Sequence, residues 1–192
     1  MSGLDAAFLY LETPSTPMHV SGLSILDSSM TFERFRELLV ARLHMVPVLT
    51  RRLVDVPFGL DKPDWMDDPD FYLDWHIHHS ALPAPGDWKQ LRRLCSRVFS
   101  QPLDRSRPLW EMVRVEGLDH IPQIPPGSVA IINKTHHACI DGMSGADIIG
   151  MLFDVTKEPR EIAPAPHRRV SAVPTDLELL AHTPRGLSKR PR

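Results

Sequence analysis

A chain of 192 residues, 42% hydrophobic and 24% charged with a net charge of −2, has room for one domain with its own core and is crowded as two. That balance excludes a protein held to nucleic acid mainly by phosphate contacts, because no excess of Lys and Arg is there to neutralise a polyanion. Two isolated cysteines, Cys95 and Cys139, fit a reduced, cytoplasmic setting better than a disulfide framework. No apolar run approaches the roughly 18–20 residues that span a bilayer, and no basic region followed by an apolar core opens the chain. The sequence thus shows no secretion signal and no integral membrane segment, and peripheral contact with lipid stays open.

Residues 4–12 read as a short helix stopped by Pro14 and Pro17, and His19 to Leu26 as a strand rich in Val, Leu and Ile. The clearest helix is predicted over 31–46. Thr31 can cap it, Glu33 sits in its first turn, and Phe32, Phe35, Leu38, Leu39, Leu43 and Val46 recur at helical spacing until Pro47. Residues 51–57 and 71–79 look extended, with a polar turn region from Asp61 to Pro69 between them. After the turn Pro83-Ala84-Pro85-Gly86, Asp87 caps a helix that carries Leu91, Leu94 and Val98 on one face.

Trp110 to Val115 reads as a strand, and Ser128 to Asn133 as a short buried strand that delivers the chain into His136-His137. An apolar helix from Gly145 to Phe153 follows. This alternation predicts an α/β or α+β class built round a mostly buried sheet. From Thr156 the character changes. Pro159, Pro164, Pro166 and Pro174 interrupt a polar stretch, with a weak helix near 175–182 and a basic end. Residues 156–192 are read as a linker.

The segment His136-His137-Ala138-Cys139-Ile140-Asp141-Gly142 carries the chemistry. Histidine, with an ordinary pKa of about 6.5, can take and return a proton near neutrality. Transfer of an acyl group from a thioester to an alcohol needs such a group, because the alcohol attacks poorly until deprotonated and the leaving thiolate benefits from a returned proton. Adjacent histidines at a strand end project to opposite faces, so one can face a substrate while the other packs beneath. Neighbours so placed do not readily share a zinc ion.

Asp141 and Gly142 suit a tight turn, with Asp141 a structural organiser rather than a second base. His76 and His78 in Trp75-His-Ile-His-His79 would share a strand face, as some metal pairs do. Without a third ligand, a solvated face is the expectation. Cys139 lies close enough to His137 to be considered a thiol nucleophile, although filling the turn with a small residue is the simpler role.

His136-His137-x-x-x-Asp141-Gly142 resembles the HHxxxDG signature of the chloramphenicol-acetyltransferase-like superfamily. That group includes acetyltransferases, peptide-synthetase condensation domains, polyketide-associated acyltransferases and the wax ester synthase/diacylglycerol acyltransferases. Other segments resemble the last of these. They are Leu4-Asp5-Ala6-Ala7-Phe8 with Glu12-Thr13-Pro14-Ser15-Thr16-Pro17-Met18-His19-Val20, then Leu82-Pro83-Ala84-Pro85-Gly86. Pro102-Leu103-Asp104-Arg105-Ser106-Arg107-Pro108-Leu109-Trp110-Glu111 adds the family's PLW element before the histidines.

The resemblance implies a two-layer α/β (α+β) sandwich, with a mixed sheet flanked by helices, as in the superfamily's N-terminal domain. It implies an acyl-CoA-dependent O-acyltransferase that passes a fatty acyl group to diacylglycerol or a long-chain alcohol. His137 would be the catalytic base, supported by His136, Asp141 and Gly142. Pro108, Leu109 and Trp110 would serve structure or substrate binding; on its own residues, that element reads as a proline-started strand with two core side chains. No metal and no cofactor beyond the co-substrate acyl-CoA are expected. The expected partners are acyl-CoA and a lipid alcohol met at a membrane or lipid-droplet surface, with no nucleic acid.

Members of that family carry two similar domains with a channel between them. Here residues 1–155 match the motif-bearing first domain, 156–192 form the proline-rich linker, and the second domain's Asn-Asp element has no counterpart after residue 153. The expectation is a truncated form: a fragment, half of a split enzyme or a frameshifted product. Its uncovered apolar surface would seek another copy or the missing domain. Two other readings stand beside this one. One is a non-catalytic half-domain that binds acyl chains or a partner and keeps the motif as ancestry. The other is a condensation-type domain acting on a carrier protein.

Overall fold

The computed structural model describes residues 1–27, 29–140, 145–154, 156, 158, 160–165, 174, 175 and 177–179. Helix α1 (Gly3–Leu11) begins in a capping box, with the Ser2 hydroxyl accepting the Asp5 amide and the Asp5 carboxylate accepting the Ser2 amide. Strand β1 (His19–Leu26) follows, then α2 (Phe32–Arg42), capped by the Thr31 hydroxyl as its position suggested. The α-helix stops at Arg42 rather than Val46, and two 3-10 turns, Leu43–Met45 and Pro47–Thr50, complete the segment. Pro47 is the cause. Its ring excludes the α conformation from the residue before it, and Val46 adopts φ −127°, ψ 76°.

The stretch from Arg51 to Pro69 is a hairpin, not a strand followed by a turn. Strand β2 (Arg51–Val54) pairs antiparallel with β3 (Asp64–Asp67). The predicted 71–79 strand divides into a 3-10 turn, Leu73–Trp75, and β4 (Ile77–Ala81). Helix α3 (Trp88–Ser100) starts in a second capping box made by Asp87 and Gln90. Then come β5 (Trp110–Glu116), β6 (Val129–His136) and α4 (Gly145–Leu152).

The main sheet has the order β1-β6-β5-β4, with β6 antiparallel to both neighbours and β4 parallel to β5. It is the expected mixed sheet flanked by helices, and helices cover both of its faces. On one face Phe35 and Leu39 of α2 and Ile148 and Leu152 of α4 pack with Ile77, Met112 and Ile131. On the other, Leu91, Leu94 and Val98 of α3 pack with Val113, Val115, Ala130 and Ile132. Buried Arg42 ties α2 to the end of α4, donating to the Leu152 carbonyl at 3.0 Å and pairing with Asp154. Among the described residues no helix is long and apolar enough to cross a membrane.

Strand β6 sits at the centre of the sheet and is buried along its whole length. Its first half is apolar, Val129 to Ile132. Its second half, Asn133-Lys134-Thr135-His136, is polar and just as buried. Sequence reading ends this strand at Asn133 because polar residues usually signal a surface. Buried polar groups are costly unless partnered, so the polar half marks the end of the sheet where function is sought.

Candidate active site

Two neighbouring chains hold the end of β6. The His136 amide donates to the Leu109 carbonyl at 2.9 Å, and the His137 amide donates to the Met18 carbonyl at 2.8 Å. His136 is the last strand residue and is fully buried. His137 leaves the strand and opens a 3-10 turn, His137–Cys139.

The two rings do different work. His136 Nδ1 accepts the Ala138 amide at 3.0 Å, so the first histidine is the N-cap of the turn that displays the second. A ring nitrogen that accepts cannot carry the proton, so neutral His136 holds its hydrogen on Nε2. That edge faces Glu12 Oε1 at 3.4 Å, beyond good hydrogen-bond length but close for an electrostatic contact. Burial pushes the His136 pKa down to about 4, with the Glu12 carboxylate opposing. His136 is thus neutral at pH 7.

His137 is half-buried and stacks on Phe8 of α1, with centroids 3.7 Å apart and planes inclined by 21°. Its Nδ1 is buried and has no hydrogen-bond partner among the described residues. The stack fixes the ring's plane, and Leu9, Leu109, Ala138 and Cys139 pack together as a buried cluster at the same turn. Asp141 and Gly142, predicted to support this turn, lie outside the described residues.

Pro108, Leu109 and Trp110 are buried directly beneath the histidines. Leu109 supplies the carbonyl that holds His136. The Trp110 indole donates to the Leu49 carbonyl at 2.7 Å, and its ring stacks on His76 at 4.8 Å. This is the packing expected of a proline-started strand with core side chains.

The remaining histidines are arranged differently from the sequence expectation. His76 precedes β4 and turns inward, buried between Phe71 and Trp110 with Nδ1 donating to the Trp110 carbonyl at 3.0 Å. It therefore does not share a solvated strand face with His78, which is exposed beside Glu111. The physical reason is the 3-10 turn at Leu73–Trp75, which delays the strand until Ile77. Among the described residues no group of three or more His, Cys, Asp or Glu is placed to hold a metal ion. Cys139 is buried with Sγ 3.8 Å from the Leu109 carbonyl, and burial raises its thiol far above the usual range. A thiol kept protonated is no nucleophile. It fills the turn.

In the sequence Phe8, Glu12 and Met18 belong to the family-like opening with no role marked for them, and nothing local singles out Lys134. Lys134 is buried, and its ammonium donates to the Val98 and Gln101 carbonyls at the end of α3 (3.1 and 3.0 Å) and to Glu111 at 2.8 Å. Beside it on β1, His19 Nε2 donates to the Phe99 carbonyl at 2.7 Å, and burial lowers that ring's pKa. The spacing of Phe8 and Glu12, one helical turn apart, was the available signal, since it places both on one face of α1.

Comparison with known proteins places this geometry. The model of the wax ester synthase/diacylglycerol acyltransferase catalytic domain matches residues 1–190. Two Mycobacterium tuberculosis proteins that carry the name diacylglycerol O-acyltransferase are similar. Rv1760 is 37% identical over 196 residues, covering 100% of this chain and 38% of that protein. The protein tgs3 is 38% identical over 162 residues, covering 83% of this chain and 58% of that protein. The chain therefore spans less than two thirds of either relative.

Among solved structures, the wax ester synthase/diacylglycerol acyltransferase from Marinobacter aquaeolei VT8 superposes with a TM-score of 0.61 at 29% identity, over 77% of this chain and 36% of that one. The starter condensation domain of rhizomide synthetase RzmA superposes with a TM-score of 0.55 at 15% identity, over 74% of this chain and 34% of that one, a likeness of fold alone. The chain belongs to the wax ester synthase/diacylglycerol acyltransferase family.

Proposed function

We propose that this chain is the histidine-bearing part of an acyl-CoA-dependent O-acyltransferase that esterifies diacylglycerol or a long-chain alcohol, with His137 as general base. The observation that carries the reading is the division of labour at the end of β6. His136 is sealed in and kept neutral as a cap, while His137 is half-buried, held by its amide and stacked on Phe8. The names of the relatives supply the substrate class.

In this mechanism His137 takes the proton of the acceptor hydroxyl as its oxygen attacks the thioester carbonyl carbon. The tetrahedral intermediate collapses with cleavage of the carbon–sulfur bond. The imidazolium then returns the proton to the departing CoA thiolate. No covalent acyl-enzyme is formed. His136, Asp141 and Gly142 support the base, and Pro108, Leu109 and Trp110 form the floor beneath it. Residues 1–155 are the domain that carries this site and 156–192 a proline-rich connector. The channel wall opposite His137 is assigned to a second domain, supplied in the same chain or by a partner.

The test is CoA release and ester formation from acyl-CoA with diacylglycerol or hexadecanol, for the full chain and for His137→Ala. Loss of the base is expected to lower kcat by about 10²-fold or more. Undiminished activity in His137→Ala overturns the assignment. Acyl-CoA binding without turnover, unaffected by His137→Ala, identifies a non-catalytic acyl-binding domain instead.

A further inference from the structure

Glu12 ends α1 as its C-cap residue, 124 positions before His136 in sequence, and its side chain is buried. A buried carboxylate is retained only where its oxygens find donors. One oxygen of Glu12, Oε1, accepts the Met18 amide at 3.0 Å and lies 3.4 Å from His136 Nε2. The other, Oε2, is 4.0 Å from Arg105 Nε. The Met18 residue held by its amide is the same residue whose carbonyl receives the His137 amide at 2.8 Å. Along the same face of α1, Phe8 supports the His137 ring.

We infer that Glu12 is a positioning residue for both histidines: a single carboxylate that fixes by its amide the Met18 residue whose carbonyl holds His137, and that faces the His136 ring edge opposite the one that caps the turn. The inference rests on the proposed role of His137 as base, but the clamp itself is a statement about geometry.

The logic follows from counting donors. His136 Nδ1 is committed to Ala138, so its Nε2–H must face an acceptor or go unpaired in a site with no water access. Among the described residues Nε2 makes no full hydrogen bond, and the one carboxylate within 4.0 Å of it is that of Glu12, at 3.4 Å. An acceptor there keeps the ring in the tautomer that the cap requires. Without it the ring can move its proton to Nδ1, and the cap on Ala138 is lost. Met18 would simultaneously lose the amide contact that fixes the residue whose carbonyl holds His137. Both errors move the same imidazole, that of His137, and neither touches a substrate.

The variants are Glu12→Leu, which removes both acceptors, and Glu12→Gln, which keeps one carbonyl oxygen of similar reach and removes the charge. Three readouts apply to the full chain: histidine 15N and side-chain N–H resonances, exchange of the His137 amide, and steady-state kinetics with acyl-CoA. In the wild type His136 is expected as the Nε2–H tautomer. Glu12→Leu is expected to speed His137 amide exchange by about 10-fold or more and to lower kcat by a similar factor, with KM for acyl-CoA changed less than about 2-fold. Glu12→Gln is expected to restore most of kcat and to shift the His136 Nε2–H resonance as its acceptor becomes neutral.

Unchanged His136 tautomer and His137 exchange in Glu12→Leu overturn the clamp. If Glu12→Leu does not fold, an unmoved Nε2–H resonance in Glu12→Gln overturns it. Activity that survives His137→Ala while Glu12→Leu moves the resonances instead refutes the base and leaves the clamp standing. A chain without turnover leaves the decision to the resonances.

Discussion

Lys134→Met tests whether the polar half of β6 is held in place by one buried ammonium. Methionine matches the length and volume of the lysine stem, so the substitution removes the charge without opening a cavity. The Lys134 side chain has no exposed surface, and its three contacts are the Glu111 carboxylate and the Val98 and Gln101 carbonyls. Removing one member of a buried ion pair typically costs about 3–5 kcal/mol, because the other charge is stranded. Glu111 is 21% exposed, so water recovers part of its charge, while the two carbonyls at the end of α3 lose their only donor from β6. The two corrections run in opposite directions, and a net loss of about 3 kcal/mol is expected. For a chain of this size that corresponds to a fall in Tm of about 6–12 °C.

Urea denaturation of Lys134→Met, Glu111→Gln and the double variant measures the loss and the pairing together. The double variant is expected to be more stable than the sum of the singles predicts, by about 1–2 kcal/mol. A loss below about 1 kcal/mol in Lys134→Met, or a strictly additive cycle, refutes the claim that this pair anchors the strand.

The remaining predictions concern the histidine end of the sheet. His136 has a folded pKa of about 4 against an ordinary 6.5, so between these values the unfolded chain binds the extra proton. Stability is present in full above pH 6.5 and is lost as pH falls towards 4, by at most about 3 kcal/mol from this ring. Asparagine can present Oδ1 where Nδ1 sat and does not titrate, so His136→Asn should flatten the slope of unfolding free energy against pH in that window. An unchanged slope places the titration elsewhere, with His19 and His76, both lowered by burial, as the next candidates. Trp110→Phe removes the donor to the Leu49 carbonyl in a fully buried setting and should cost about 2 kcal/mol in chemical denaturation. A loss within about 0.5 kcal/mol would show that this bond carries no net weight.

Elements announced by local chemistry were legible. Thr31 and Asp87 marked helix starts because their side chains satisfy amides that no other residue reaches. Strand β1 was legible from its run of Val, Leu and Ile. The β2–β3 hairpin was not, because Asp64-Trp65-Met66-Asp67 carries acids at both ends and so mimics a turn. Its signal was non-local. Arg51 pairs with Asp67 at 3.1 Å, and Arg52 lies 3.9 Å from Asp68. Two arginines in one segment and two aspartates in the next are complementary only once the strands are folded together. The early end of α2 was half legible, since Pro47 was seen to stop the helix, but its effect on the preceding turn extends further than the proline itself.

The site divides along the same line. Adjacent histidines at a strand end were legible as a pair with separate tasks, because alternation prevents both from facing one side. What alternation alone leaves open is which ring stays in and what keeps it there. The structure places His136 inside, and the decisive contact is local: Nδ1 accepting an amide two residues on. That contact makes the first histidine the cap of the turn that displays the second. It also requires an acceptor at the opposite ring edge, which sequence spacing cannot reveal because Glu12 comes from the end of α1, more than a hundred residues away. The motif is therefore only half a device when read from its own residues. Its other half is the face of α1, where Phe8 sets the plane of His137 and Glu12 sets the strand end from which His137 departs. A change on that face should disturb the proposed base as surely as a change in the motif, although nothing on α1 needs to touch the reacting atoms.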